Sequence, residues 1–296
     1  MNDDRQSLLP GVDFTRRGFV VTSLASGFAL AAQPISAQTT VTTDSNGLVA
    51  GEVRIPVTDG QIPAYRAMPA AGGPFPIVLV VQEIFGVHEH IKDICRRLAK
   101  LGYAAIAPAF FVRVADPAPL GDMAAVMKIV VQASDPQVMG DVGAALAYLE
   151  KQSWADRHRM AITGFCYGGG VTWLACETFP ALKCGVAWYG RMAPPAGAPA
   201  NLARYWPIQK VADLQAPVLG LYGAKDQLAD SVPAMRAALK AAGKMDSEII
   251  VYADAGHGFH ADYRASYVAA DAKDGWDRML AFFARSGVAP NAKPSS

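Results

Sequence analysis

Short apolar runs alternate with longer amphipathic stretches along most of this chain, and the two repeat lengths separate strands from helices. The pattern predicts strands at about 49–57, 61–69, 76–83, 103–107, 159–164, 184–189, 216–222 and 247–252. Helices are expected at about 89–101, within 120–152, and at 167–177, 231–242 and 264–285. Strands that alternate with helices need crossover connections, so the expected fold is α/β: a doubly wound, mostly parallel sheet with helices on both faces. The segment from Gly190 to Trp206, rich in Pro and Ala, is the one long irregular stretch and is expected to overhang a site as a lid or rim.

Placed on this pattern, Gly164-Phe165-Cys166-Tyr167-Gly168-Gly169 falls where the strand Arg159–Thr163 gives way to a helix whose first turns take in Val171–Ala175. A strand-turn-helix corner this sharp strains its central residue, and flanking glycines let the two backbones approach. It would aim the Tyr167 N–H, at a helix N-terminus, toward whatever Cys166 attacks. A lone Gly-x-Cys-x-Gly also suits a buried structural cysteine. The residues downstream favour chemistry. Asp226 follows the apolar strand Ala216–Gly223, and His257 follows the strand Glu248–Tyr252 within Ala255-Gly256-His257-Gly258-Phe259-His260. Nucleophile, acid and histidine thus occur in the chain order of the α/β-hydrolase triad, each after a predicted strand. Cys166 would be the nucleophile, His257 its base, and Asp226 the group that fixes the imidazole tautomer. His260 is a rival base, with a packed polar role as its alternative.

The strand and loop Pro76–Gly86, with Gln82-Glu83-Ile84-Phe85-Gly86, resembles the corresponding strand and loop of dienelactone hydrolases, whose elbow is likewise Gly-x-Cys-x-Gly-Gly. With Asp226 and His257-Gly258-Phe259 added, the resemblance spans roughly residues 50 to 285. It implies an α/β-hydrolase fold and a carboxylic ester or lactone hydrolase. It further implies that Glu83 engages the resting thiol and helps form the thiolate, and that the N–H groups of Ile84 and Tyr167 make the oxyanion hole. Family members hold a substrate carboxylate with two arginines. Arg113 stands at the first position, but Ala261 occupies the second, where a guanidinium fork would be needed. Arg264, one helical turn farther on, could reach the same pocket or lie on the surface. Phe259, Tyr189 and Trp206 are candidate pocket walls or core aromatics.

The N-terminus carries a different signal. Thr15-Arg16-Arg17-Gly18-Phe19-Val20-Val21 matches the twin-arginine export pattern, and the apolar stretch Val20–Ala32 leads to a small-residue cleavage site at Ile35-Ser36-Ala37. That stretch is shorter than a bilayer span and is interrupted by Thr22, Ser23, Ser26 and Gly27, which argues against a membrane anchor. Residues 1–37 are therefore expected to be a signal peptide handled by the twin-arginine translocon, and 38–296 one α/β-hydrolase domain working in the periplasm or outside the cell.

Composition agrees with a single enzyme domain. Hydrophobic residues make up 52% and charged residues 18% of the chain, as suits a sheet covered on both faces. A net charge of +1 with no basic cluster argues against nucleic acid as a partner. No phosphate loop or dinucleotide fingerprint indicates a cofactor. The other cysteines, Cys95, Cys176 and Cys184, read as core thiols. Neither they nor His88 and His90, two apart at a helix start and expected to face different ways, show zinc-ligand spacing. Two other functions remain compatible: hydrolysis of a thioester or amide on the same fold, and non-catalytic binding in the periplasm, for which a complete nucleophile, base and acid would be superfluous.

Overall fold

The computed structural model describes residues 41–195, 197 and 204–291; the expected signal peptide lies outside them. Among the described residues, eight strands form one sheet: β1 (Leu48–Val57), β2 (Gly60–Pro69), β3 (Phe75–Val81), β4 (Ala104–Pro108), β5 (Ala155–Phe165), β6 (Leu182–Trp188), β7 (Val218–Gly223) and β8 (Glu248–Tyr252). Their order is β1-β2-β4-β3-β5-β6-β7-β8. The hairpin β1-β2 joins β4 antiparallel, and every pairing from β4 through β8 is parallel.

The main helices are α1 (Glu89–Lys100), α2 (Met123–Val130), α3 (Asp135–Glu150), α4 (Tyr167–Thr178), α5 (Val232–Ala241) and α6 (Ala269–Arg285). Although β3 is uniformly apolar, its two faces divide the core. Ile77, Leu79 and Val81 pack with residues of α2, α3 and α4, whereas Val78 and Val80 pack with Ile91, Ile94 and Leu98 of α1 and Phe282 and Phe283 of α6. Side chains on a strand alternate between faces, so one apolar run serves two helical layers. From β3 the chain runs first to β4 on one side and later to β5 on the other. The loops that leave β3 and β5 therefore diverge at a topological switch point, the place where open α/β sheets leave a crevice.

Two of the boundaries that differ from expectation bear on the site. The strand β3 ends at Val81, and Gln82 and Glu83 already belong to the turn that closes through a Glu83–Gly86 bridge. The last helix starts at Ala269 instead of near 264. Residues 258–268 wind through successive turns, with the N–H of Ala261 on the oxygen of Gly258 (2.8 Å), that of Arg264 on Ala261 (3.0 Å) and that of Tyr267 on Arg264 (3.1 Å). Tyr263 and Arg264 are drawn inward to Glu83, which an exposed helix start would not allow.

Candidate active site

Cys166 sits at the junction of β5 and α4 with φ 57° and ψ −114°, a backbone that side-chain-bearing residues rarely adopt. Its N–H donates to the oxygen of Trp188 on β6 at 3.0 Å, which helps fix the bend. The glycines are required by contact. A Cβ on Gly164 would lie 2.1 Å from the oxygen of Gly168, and one on Gly168 would lie 2.4 Å from the oxygen of Val81. The corner is thus wedged against the end of β3, beside the loop that carries Glu83 and Ile84. Tyr167 is the first residue of α4, so its N–H is among those a helix N-terminus leaves without an intrahelical partner.

The predicted acid and base come together. Asp226 leaves β7 through a turn in which its N–H binds the Gly223 oxygen at 3.1 Å, and its Oδ1 accepts the Leu228 N–H at 3.0 Å. Its Oδ2 then lies 2.7 Å from Nδ1 of His257. A Cβ on Gly223 would collide with the Ala255 oxygen at 2.4 Å, so this glycine lets the two loops touch. The imidazole of His257 also contacts the Cys166 sulfur. Burial works against a charged ring, but the sulfur and the Asp226 carboxylate outweigh it and raise His257 to about 10. His260 has the opposite surroundings. It is packed among Trp188, Phe165 and Trp276 with ring centroids 4.6, 5.3 and 5.7 Å away, and burial holds it well below the ordinary histidine value. It is a core residue and no rival to His257.

Glu83 is fully buried. Its Oε2 accepts the Tyr263 hydroxyl and lies 3.2 Å from Nε2 of His88, while Oε1 is 3.7 Å from the Arg264 guanidinium. Burial would favour the neutral acid, but Arg264 and His88 overcome it and hold the carboxyl well below the usual carboxylate range. The resemblance put Glu83 on the resting thiol. In this structure its hydrogen bonds go to Tyr263 and His88, and His257 is the group that meets the sulfur. Sequence reasoning missed Tyr263 and His88, because neither lies in a motif and each reaches Glu83 only through the turns around it. His88 and His90 also depart from expectation. Their rings stack at 6.0 Å and both touch Tyr263, because His88 is the extended cap residue before α1 and the helical angular offset does not apply.

The two arginines part company. Arg113 donates to both Asp59 oxygens (2.5 and 2.6 Å) and both Asp141 oxygens (2.5 and 2.9 Å), so its expected place in a substrate pocket is corrected to a clamp between the β1-β2 turn and α3. Arg264 is in the site. It is buried, donates from Nε to the Tyr263 hydroxyl at 3.2 Å, and stacks on Phe85 with its guanidinium carbon 4.9 Å from the ring centroid. Gly258, with φ +76°, makes room for it: a Cβ there would lie 3.3 Å from the Arg264 side chain. Phe259 is fully buried between Tyr252 and Tyr189, a core aromatic beneath the site, whereas the Tyr189 ring lies 5.1 Å from that of His257. Trp206 stacks on the buried Arg191 at 5.5 Å. Cys95, Cys176 and Cys184 are buried free thiols, and burial raises all of them above the ordinary thiol value. Among the described residues no group of three or more His, Cys, Asp or Glu side chains is arranged to hold a metal ion.

A buried Cys-His-Asp constellation on a strand-turn-helix corner, at the N-terminus of a helix, can carry out acyl transfer. The profile of the Dienelactone hydrolase family matches residues 62–287. A carboxymethylenebutenolidase homologue of Methylorubrum extorquens is 53% identical over 97% of this chain and 98% of its own. One from Escherichia coli K12 is 47% identical over 90% of this chain and 98% of its own. The crystal structure of a dienelactone hydrolase homologue from Klebsiella pneumoniae superposes with a TM-score of 0.75 at 49% identity, covering 80% of this chain and 99% of that one. Shared fold, shared sequence over nearly the whole length, and the loop and elbow motifs together place this chain in the dienelactone hydrolase family.

Proposed function

We propose that this hydrolase cleaves carboxylic esters or lactones with Cys166 as a thiolate nucleophile, and that it does so after twin-arginine export. The observation that carries the first part is the relay in which Asp226 holds Nδ1 of His257 at 2.7 Å while the same ring contacts the Cys166 sulfur. The thiol proton passes to His257, and the sulfur adds to the ester carbonyl carbon. The oxygen that becomes negative is received by the N–H groups of Ile84 and Tyr167. The intermediate collapses as His257 returns the proton to the leaving alkoxide, which yields a thioester on Cys166. Water then gives a proton to His257 and adds to that thioester, and the sulfur leaves with the carboxylic acid released. With Arg113 occupied by Asp59 and Asp141, and Arg264 facing Glu83, the reading that fits these charges is a neutral ester or lactone.

The test is hydrolysis of p-nitrophenyl acetate by the chain from Gln38 to Ser296. Cys166→Ala should abolish turnover, and Cys95→Ala or Cys176→Ala should not. Equal losses in all three, with the proteins still folded, would remove Cys166 from the role. The export half is supported by Arg16-Arg17 and Ile35-Ser36-Ala37.

A further inference from the structure

Ahead of β1, residues 41–46 run alongside α1, and their main chain is paired with side chains instead of with another strand. The Val41 N–H donates to Oδ2 of Asp262 at 3.0 Å, and its carbonyl accepts from Arg97 at 3.4 Å. Two residues on, the Thr43 N–H donates to Oδ1 of Asp93 at 2.6 Å, and its carbonyl accepts from Nε of Arg96 at 2.7 Å. Lys100 then binds the Asp44 carboxylate at 2.7 Å and the Asn46 carbonyl at 2.8 Å. Alternate residues thus have both backbone groups satisfied, and neither Val41 nor Thr43 is held through its side chain in these contacts.

One of the receiving groups lies next to the site. Asp262, its side chain almost wholly buried, also lies 2.9 Å from Nδ1 of His90 and accepts from Arg97 at 3.0 Å. The next residue is Tyr263, whose hydroxyl donates to Glu83 and whose ring packs edge-on against His88 and His90 at 5.1 and 5.2 Å. We infer that segment 41–46 is part of the active-site framework, and that Asp262 is a positioning residue through which it holds Tyr263 against Glu83. The inference rests on the reading of Cys166, His257 and Glu83 as one catalytic site.

Removing the segment would take a hydrogen bond from each of two buried carboxylates. Asp93 and Asp262 are buried carboxylates, and each draws one of its hydrogen bonds from the segment's backbone. A buried carboxylate that loses a donor is destabilised and turns toward water. Asp93 sits in the middle of a helix and cannot travel. Asp262 belongs to the turns between His257 and α6, so its rotation would carry Tyr263 with it and release Glu83. Processing after Ala37 would leave the segment in place, whereas trimming a few residues farther would remove it.

The experiment compares three proteins: residues 38–296, residues 47–296, and 38–296 carrying Asp262→Asn. Thermal unfolding, kcat and KM on p-nitrophenyl acetate, and the pH dependence of Cys166 alkylation by iodoacetamide, followed by peptide mass spectrometry, are read for each. A misplaced catalytic group should lower kcat in the shortened chain on the order of tenfold or more while KM changes by less than about twofold, and the alkylation profile should move along the pH axis. A synthetic peptide of residues 38–46 should restore kcat to that chain, and Asp262→Asn should move both readouts the same way without truncation. Wild-type kcat and an unmoved alkylation profile in Asp262→Asn would overturn the inference, even where the shortened chain fails to fold. Turnover that survives Cys166→Ala would instead overturn the cysteine reading and this inference with it, so the two failures are distinguishable.

Discussion

At Arg113 a guanidinium meets two carboxylates, and the count of charges decides its role. Both edges of its fork are filled, by Asp59 and by Asp141, and the Asp141 side chain is nearly buried. A substrate carboxylate arriving there would have to displace a neighbour that is already ionised and closer. Arg113→Ala should therefore leave KM for both anionic and neutral esters within about twofold, while lowering stability by about 1–3 kcal/mol, because it strands Asp141 without its charge-assisted partner. Urea unfolding and steady-state kinetics on a matched pair of substrates would check this. A rise in KM confined to the anionic substrate, with stability unchanged, would return Arg113 to the pocket. The same scale explains Glu83. A carboxylate with no exposure stays ionised only because Arg264 and His88 outweigh its burial. Those partners come from a turn at residues 258–268 and from the cap of α1, and a motif around Glu83 contains neither.

Among the elements, α4 shows why the elbow could be read from sequence and its support could not. Gly164 and Gly168 are recorded directly in the chain, since any Cβ there would strike backbone 2.1 and 2.4 Å away. The apolar run before Asp226 reveals β7 in the same direct way, because a strand covered on both faces must be apolar throughout, whereas the edge strand β8 before His257 is apolar from Ile249 to Tyr252 although Ile250 is only half-buried and Val251 is exposed. Turns are different. The pattern from 264 onward predicts helix, but residues 258–268 are held by Asp262, Tyr263 and Arg264 turning inward, and such long-range pairings leave no periodic trace. Farther along α4, Glu177 is almost fully buried, and neither of its carboxylate oxygens has a hydrogen bond among the described residues. Burial raises its pKa from the ordinary 4.5 to about 9, with Lys210 too weak to reverse this. The folded state then keeps a proton that the unfolded chain gives up, so stability is full at acid pH and declines as pH rises from 4.5 toward 9. Glu177→Gln keeps the shape and removes the titration. It should raise stability at pH 8 by on the order of 1–3 kcal/mol and have little effect near pH 4, as read by thermal unfolding across pH. An identical gain at both pH values would mean that the packing had changed and the charge had no part.

For the whole molecule the question is how one chain comes to fold and be delivered. The described residues form a single sheet with a helical layer on each face, and none of their helices is long and apolar enough to cross a membrane. All four cysteines are buried as free thiols, so a chain that folds before crossing a membrane would reach an oxidising compartment with its thiols already enclosed. A twin-arginine route delivers folded protein and suits that requirement, and Arg16-Arg17 ahead of an apolar stretch is the feature a receptor would read. Recognition of the pair depends on planar guanidinium forks, which lysine cannot reproduce with a single ammonium. In a bacterial host, Arg16→Lys combined with Arg17→Lys should therefore leave the full-length precursor in the cytoplasm, folded and active on p-nitrophenyl acetate in lysates. The unaltered chain should appear in the periplasm with an N-terminus near Gln38, as read by fractionation and N-terminal sequencing. Normal periplasmic amounts of the double variant would rule out the twin-arginine route. A wild-type chain that stays in the cytoplasm at full length would remove the export reading altogether, while leaving the chemistry of Cys166 untouched.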